Sequence, residues 1–175
     1  MKDFKKIISE EFVAFMGSAA QTGEINVCDI EYYAAMGADI NYQGMFNESV
    51  LHTAAGLDYT DTDIIDALIM AGADVNLKSK EGKQTPLHYA AQEGTYSVMK
   101  ALINAGADIN AKDAEGNTPL MYLAKRSWME NIEWMIDDGA DPAIKNKRGK
   151  TAFDLYKKTC KDDTKWFGET TDNYS

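Results

Sequence analysis

Two histidines are the residues best suited to acid–base work in this sequence. His52 and His88 are the only ones among 175 residues. An imidazole titrates near neutral pH and ligates metals through either ring nitrogen, but both roles need partners that converge on the ring. Carboxylates come next. Asp39, Asp74, Asp108 and Asp141 recur at a steady interval, a pattern open to reading as a ladder of metal ligands. Asp58, Asp61, Asp63 and Asp66 crowd one short segment. A calcium loop would need Asp-x-Asp-x-Asp-Gly with a glutamate closing it, and neither that glycine nor that glutamate follows. Cys28 and Cys160 stand far apart, with no C-x-x-C pair or Cys/His cluster to hold zinc. Two free thiols in a reducing compartment are the expectation. No nucleophile elbow, phosphate loop or dinucleotide fingerprint is present. The sequence therefore predicts no catalytic residue, no metal and no cofactor.

The elements that carry these residues repeat. Gly37-Ala38-Asp39-Ile40-Asn41 is followed by Gly72-Ala73-Asp74-Val75-Asn76, by Gly106-Ala107-Asp108-Ile109-Asn110 and by the degraded Gly139-Ala140-Asp141-Pro142-Ala143. The glycines lie 35, 34 and 33 residues apart. A second motif keeps phase. Thr85-Pro86-Leu87-His88-Tyr89-Ala90-Ala91 is its fullest copy. Ser49 to Ala55, Thr118 to Ala124 and Thr151 to Leu155 are its variants. Within one unit, Thr85 is expected to cap a helix and Pro86 to fill its first position, where a missing N–H costs nothing. Val98, Met99, Leu102 and Ile103 form one stripe of a second helix. Gly106 ends that helix by entering the left-handed region. The histidine slot holds Met121 in the third unit and Asp154 in the fourth, so no ligand ladder is maintained there.

These motifs resemble the ankyrin repeat, whose period of 33 and T-P-L-H-x-A signature they match. The resemblance covers about residues 24–158. It implies an all-α solenoid of stacked helix-turn-helix units joined by hairpin-like loops. It also implies that the histidine bonds backbone near the repeat junction, and that the repeated aspartate caps local turn N–H groups. Stacked copies would sit roughly one helix-packing distance apart, too far to share an ion. The expected organisation is a degenerate N-terminal cap over residues 1–41 and repeats over 42–77, 78–111 and 112–144. A partial C-terminal cap over 145–160 and a polar tail over 161–175 follow. In the cap, Ala19-Ala20-Gln21-Thr22-Gly23 lines up with Ala90 to Gly94, and Ile30, Tyr33 and Ala34 take the second-helix core positions. Phe4, Ile7, Ile8, Phe12, Phe15 and Ala19 recur at helical spacing, so the start reads as an amphipathic helix and not as a targeting segment.

Lys plus Arg is 18 and Asp plus Glu is 28, giving a formal net charge of −10. That balance disfavours generic nucleic-acid binding and favours encounter with a basic partner. No apolar run reaches transmembrane length. Lys125, Arg126, Lys145, Lys147, Arg148 and Lys150 make the C-terminal half locally basic.

In the family, partners meet the loop tips and the exposed side of each first helix. On the tips those slots hold Met45 and Phe46, then Lys80, Glu81 and Lys83, then Glu115 and Asn117. On the helices they hold Leu57, then Tyr89, Gln92 and Glu93, then Tyr122, Lys125 and Arg126, with Trp128 in the following turn. Exposed aromatics and arginine are what binding hot spots favour. For Phe46 and Trp128 the alternative is folding back onto neighbouring repeats. The turn from Gly56 to Thr62 is two residues longer than its counterpart after Ala91, and is either a mere insertion or a partner contact. One extra residue also lengthens the loop before Thr85, which would push its tip outward. The expected function is non-enzymatic binding of another protein by a cytoplasmic chain that is monomeric when free, in the role of a small inhibitor or immunity-type protein. An adaptor linking two partners is the alternative, with Trp166-Phe167 as its second epitope.

Overall fold

The computed structural model describes residues 2–23, 25–44, 47–57, 60–93 and 95–159. Among them the secondary structure is helical, without a strand. Helices α1 (Lys2–Thr22) and α2 (Val27–Ala35) form the N-terminal unit. Three pairs follow: α3 (Val50–Ala55) with α4 (Thr62–Met70), α5 (Pro86–Glu93) with α6 (Tyr96–Asn104), and α7 (Pro119–Arg126) with α8 (Met129–Asp137). Helix α9 (Ala152–Thr159) closes the described chain.

The pairs stack in two layers. First helices pack in the order α1, α3, α5, α7, α9, and second helices in the order α2, α4, α6. The α6–α8 step is bridged by Tyr96 against Trp134, ring centroids 4.7 Å apart. Small residues set the first-helix spacing. Ala54, Ala55, Ala90, Ala91 and Ala124 are buried completely, and a larger side chain there would push neighbouring helices apart. Leu51, Leu87, Leu120, Leu68, Leu102 and Met135 fill the space between layers.

The glycine of each long motif ends a second helix. At Gly106 φ is +91°, its N–H donates to the Ile103 carbonyl at 2.9 Å, and the Ala107 N–H donates to the Leu102 carbonyl at 3.0 Å. Two carbonyls orphaned at the helix end are thereby satisfied. The same pair of bonds recurs at Gly37, Gly72 and Gly139.

The loops are hairpin-like, as expected. Ser79 N–H bonds the Gln84 carbonyl (2.8 Å), Asp113 N–H the Asn117 carbonyl (3.0 Å) and Asn146 N–H the Lys150 carbonyl (3.0 Å). Each tip also bonds the preceding one, through Lys80 N–H to the Asn47 carbonyl, Ala114 N–H to Gly82 and Lys147 N–H to Glu115. The extra residue before Thr85 is absorbed inside the turn, where Lys83 takes a left-handed φ of +52°.

Two expectations change. Along α1, Ile8, Phe12, Met16 and Ala19 are buried, but Phe4 and Ile7 are 55% and 53% exposed. The threonine hydroxyls do not cap α5 and α7 as expected. Thr85 Oγ1 bonds the His88 ring instead, and Thr118 Oγ1 is buried without a partner.

Candidate partner-binding face

The two histidines are structural bridges. The Ser49 N–H and hydroxyl both approach His52 Nδ1, at 3.2 and 2.8 Å, and His52 Nε2 lies 3.1 Å from the Gln84 carbonyl. The arrangement repeats at His88, with Thr85 on Nδ1 at 3.1 and 2.9 Å and the Asn117 carbonyl on Nε2 at 3.1 Å. A backbone N–H can only donate and a carbonyl can only accept, so the proton sits on Nε2 of both rings. Burial lowers both imidazole pKa values, that of His88 to about 4. Each neutral ring thus ties the start of one first helix to the loop of the next unit.

The repeated aspartates cap turns. Asp39, Asp74 and Asp108 accept the N–H of Asn41, Asn76 and Asn110 at 3.1, 2.9 and 3.0 Å, and Asp141 accepts that of Ala143 at 2.8 Å. The asparagines add a bond pattern that the sequence reading missed. Asn41, Asn76 and Asn110 each donate Nδ2 to the next unit's motif glycine carbonyl, at 3.0, 2.9 and 3.3 Å. Each also accepts the next aspartate's N–H on Oδ1 at 2.7–2.8 Å. Ala143 stands where a fourth asparagine would, and the ladder ends there. Among the described residues no three His, Cys, Asp or Glu side chains are placed to share a metal ion. Asp61 instead caps α4 by accepting the Asp63 N–H, while Asp63 and Asp66 face solvent. Cys28 is exposed on α2; Cys160, Asp58, Met45, Phe46, Trp166 and Phe167 lie outside the described residues.

The tyrosines of the first helices are less free than their slots suggest. Tyr89 and Tyr122 are half-buried and pack on the core. Each reaches back to the loop residue that precedes the previous first helix. Tyr89 donates to Glu48 Oε1, and Tyr122 accepts from Gln84 Nε2 at 2.8 Å while donating to Asp113 Oδ2 at 2.7 Å. Burial and then the carboxylate partner push both phenol pKa values up. The rings therefore act as wedges between loop and helix as well as surface. Trp128 is also half-buried against the core, with the Arg126 guanidinium 5.2 Å from its ring, so folding back describes it.

Asn117 is a further correction. It is 6% exposed, and its side chain is used by Asp113 Oδ2 at 3.2 Å and Asn146 Nδ2 at 2.9 Å. The buried Asp113 organises this loop, accepting from the Glu115 and Asn117 amides at 2.8 Å each. Burial pushes its carboxyl pKa up, but bonds from Tyr122, Asn117 and Glu115 outweigh that and hold it low. Asp113-x-x-Gly116-Asn117 carries the Asx-turn signal that would have located this residue.

The remaining slots do present side chains outward. Lys80, Glu81, Lys83, Glu93, Glu115, Lys125 and Arg126 are exposed, while Leu57 and Gln92 are half-buried. Some are partly engaged. Lys80 Nζ bonds the Gln43 carbonyl at 3.1 Å, Glu81 accepts from Asn47 at 2.9 Å, and Lys125 Nζ lies 4.4 Å from the Tyr122 ring centroid. Arg126 and Glu93 pair at 3.9 Å, an exposed contact of little energetic weight.

At the C-terminal end this face deepens into a groove of about 780 Å³ between the third and fourth units. Lys125, Arg148, Lys150, Lys157 and Lys158 line it, together with Leu155, Glu115 and Asp154. Lys157 and Lys158 escaped the sequence reading, although Lys158 stands one period of 33 beyond Lys125.

A first-helix layer tied by histidine bridges, a ladder of Gly-Ala-Asp-x-Asn turns and cross-linked hairpin tips define a class of protein, the ankyrin-repeat solenoids. The chain belongs to the ankyrin-repeat family: residues 15–113 match a family model of ankyrin repeats in three copies, and residues 102–155 one of ankyrin repeats in many copies. It is 33% identical over 99 residues to inversin from Canis lupus familiaris, covering 54% of this chain and 9% of that protein. It is 34% identical over 95 residues to ankyrin repeat domain-containing protein 37 from Homo sapiens, covering 54% of this chain and 60% of that protein. Repeats of this family are, as a class, non-enzymatic protein–protein interaction modules. Among the described residues no helix is long and apolar enough to cross a membrane.

Proposed function

We propose that this chain is a non-enzymatic, cytoplasmic protein binder, monomeric when free, that holds its partner on the face made by the loop tips and first helices. The observation that carries the reading is the contrast in that face between a fixed backbone and exposed, charged side chains. Hairpin tips, histidines and asparagines lock successive units together, while Lys80, Lys83, Glu93, Glu115, Lys125 and Arg126 point into solvent at regular slots. A preorganised backbone lowers the entropy lost on binding. The finer role proposed is that of an inhibitor covering a partner's active surface, with a net charge of −10 speeding the encounter with a basic partner. An adaptor role gains one observation of its own. The second-helix face exposes Tyr32 (60%), Met36 (40%), Met70 (88%) and Tyr96 (42%), a separate apolar surface that could hold a second partner.

Affinity capture from extracts of the source cells, read by mass spectrometry, tests the main reading. The chain should capture a protein that a folded Lys80→Glu, Glu93→Lys, Arg126→Glu variant loses and that a Lys100→Glu control on α6 retains. Capture that survives the triple change and fails with the Lys100 change would place binding on the other layer.

A further inference from the structure

The tyrosine slot explains why the groove exists. Tyr89, Tyr122 and Leu155 stand 33 residues apart in register. At the earlier junctions the phenol fills the angle between its helix and the preceding loop, and its hydroxyl reaches Glu48 or Gln84. Leu155 lacks the length and the hydroxyl to reach the equivalent Asn117, and the space stays open. The charges around that space also change by register. Gln84, Asn117 and Lys150 share one slot, and Gln92, Lys125 and Lys158 another. Units that are neutral in the middle of the stack become cationic at its end.

Among the described residues none of Lys125, Arg148, Lys150, Lys157 and Lys158 is in an ion pair. Asp154 is engaged by its own helix start, accepting the Thr151 amide and hydroxyl at 3.0 and 3.2 Å. Lys125 and Lys157 lie over the rings of Tyr122 and Phe153, at 4.4 and 4.1 Å. Burial lowers the pKa of Lys125, outweighing the attraction of Asp113, and Arg148 adds a smaller push in the same direction as burial.

Resting on the protein-binding reading, we infer that this groove takes a carboxylate-rich segment of the partner protein, an extended Asp/Glu stretch seated against Leu155 and held by the lysines of α7, α9 and the last loop. A nucleic acid fits less well. The cationic surface is one junction wide, the chain carries −10 overall, and Glu115 and Asp154 stand within the groove, so a continuous phosphate backbone would leave the cations and run onto acidic surface.

The test measures fluorescence anisotropy of a rhodamine-labelled peptide of alternating glutamate and serine, against a lysine–serine peptide and a single-stranded oligonucleotide of matched length. The glutamate peptide should bind in a salt-sensitive manner and the lysine peptide should not. Lys150→Ser with Lys158→Ser should raise its Kd at least about tenfold, and Leu155→Tyr, which fills the groove without changing charge, should weaken it by a similar factor. Lys5→Ser with Lys100→Ser removes as much charge elsewhere and should leave the affinity within about twofold. Circular dichroism checks that each variant is folded. Absence of glutamate-peptide binding, equal losses in both lysine pairs, or tighter and groove-dependent binding of the oligonucleotide would overturn the inference. Should the peptide fail while the captured protein is still lost in the triple variant, the acidic-segment inference falls and the protein-binding reading stands.

Discussion

At the junction of α5 with α7, His88 joins the Thr85 hydroxyl to the Asn117 carbonyl, and Tyr122 wedges itself against the loop before α5. At the junction of α7 with α9, the same slots hold Met121 and Leu155. Met121 is buried, so packing is kept, but it cannot donate to the Lys150 carbonyl, and Thr118 Oγ1 is left without a partner. The fourth unit supplies its own helix start, where Asp154 accepts from the Thr151 amide and hydroxyl and its N–H donates to Thr151 Oγ1. One junction is closed by directional bonds that cross between units. The other keeps the bonds from Lys147 N–H to the Glu115 carbonyl, Asn146 Nδ2 to Asn117 Oδ1 and Thr159 Oγ1 to the Lys125 carbonyl, but in place of the histidine bridge and the tyrosine wedge it has Met121 and Leu155, and a cationic groove stays open there. Because stability in a repeat stack is nearly a sum of unit and neighbour terms, the loss of the histidine bridge and the tyrosine wedge is confined to the junction where binding is proposed.

The largest effect should come from making the closed junction resemble the open one. His88→Met keeps the volume but strands the Thr85 hydroxyl and removes the donor to the Asn117 carbonyl, and it should cost about 3 kcal/mol in urea denaturation. It should also flatten the acid limb of stability. The folded-state pKa of His88 is depressed to about 4, so on acidification the unfolded chain takes up the proton first. The stabilisation is complete above about pH 6.5 and is lost progressively down to about pH 4, roughly 3 kcal/mol over that window. His52 shifts in the same direction and leaves a smaller residual slope in the variant. The low carboxyl pKa values of Asp113 and Asp154 act only below the usual carboxylate range. An unchanged slope between pH 6.5 and 4 in H88M would mean that burial does not hold that ring neutral.

The converse change should gain about 1–2 kcal/mol. Met121→His offers Nδ1 to the orphaned Thr118 hydroxyl and Nε2–H to the Lys150 carbonyl, completing a third bridge in the series. A rise in the urea midpoint together with a new acid-sensitive step is the expected outcome. A loss of stability would show that the last loop stands out of register with the other two.

The period and its motifs announced the first part of this comparison. Met121 and Asp154 in the histidine slot were visible without a structure, and so were the glycine stops. The wedge role of Tyr89 and Tyr122 was not, because a slot on a helix surface reads as exposed until the loop that covers it is placed. Tyr122 is further tied to Asp113 of its own loop, whose four acceptor contacts span nine residues, beyond the reach of a helical or strand period. Asn117 misled for the same reason, being polar, next to a loop tip, and wholly consumed by bonds within and between loops. The groove depends on what Leu155 fails to do, and an unfilled volume has no residue of its own to signal it.

The smallest expected effect lies in the turns that lead into the two junctions. Gly116 takes φ +76°, and a Cβ there would meet the Lys147 amide nitrogen at 3.1 Å. Gly116→Ala should therefore cost roughly 1–2 kcal/mol through left-handed strain and the shift forced on the next tip. In the preceding repeat the left-handed position is filled by Lys83 at φ +52°, with its side chain in solvent. That residue bears the steric cost of a Cβ in the left-handed region while contributing no burial in return. Replacing it with glycine relieves the strain but gives the unfolded chain more freedom, and the two terms oppose one another at roughly 1 kcal/mol each. The balance should favour Lys83→Gly by about 0.5 kcal/mol, a rise in Tm of about 1–2 °C for a chain of this size. Lys83→Ala keeps the Cβ and should leave Tm unchanged. If alanine stabilises as much as glycine, the cost at position 83 comes from the lysine charge and not from the backbone, and the two turns differ only in sequence.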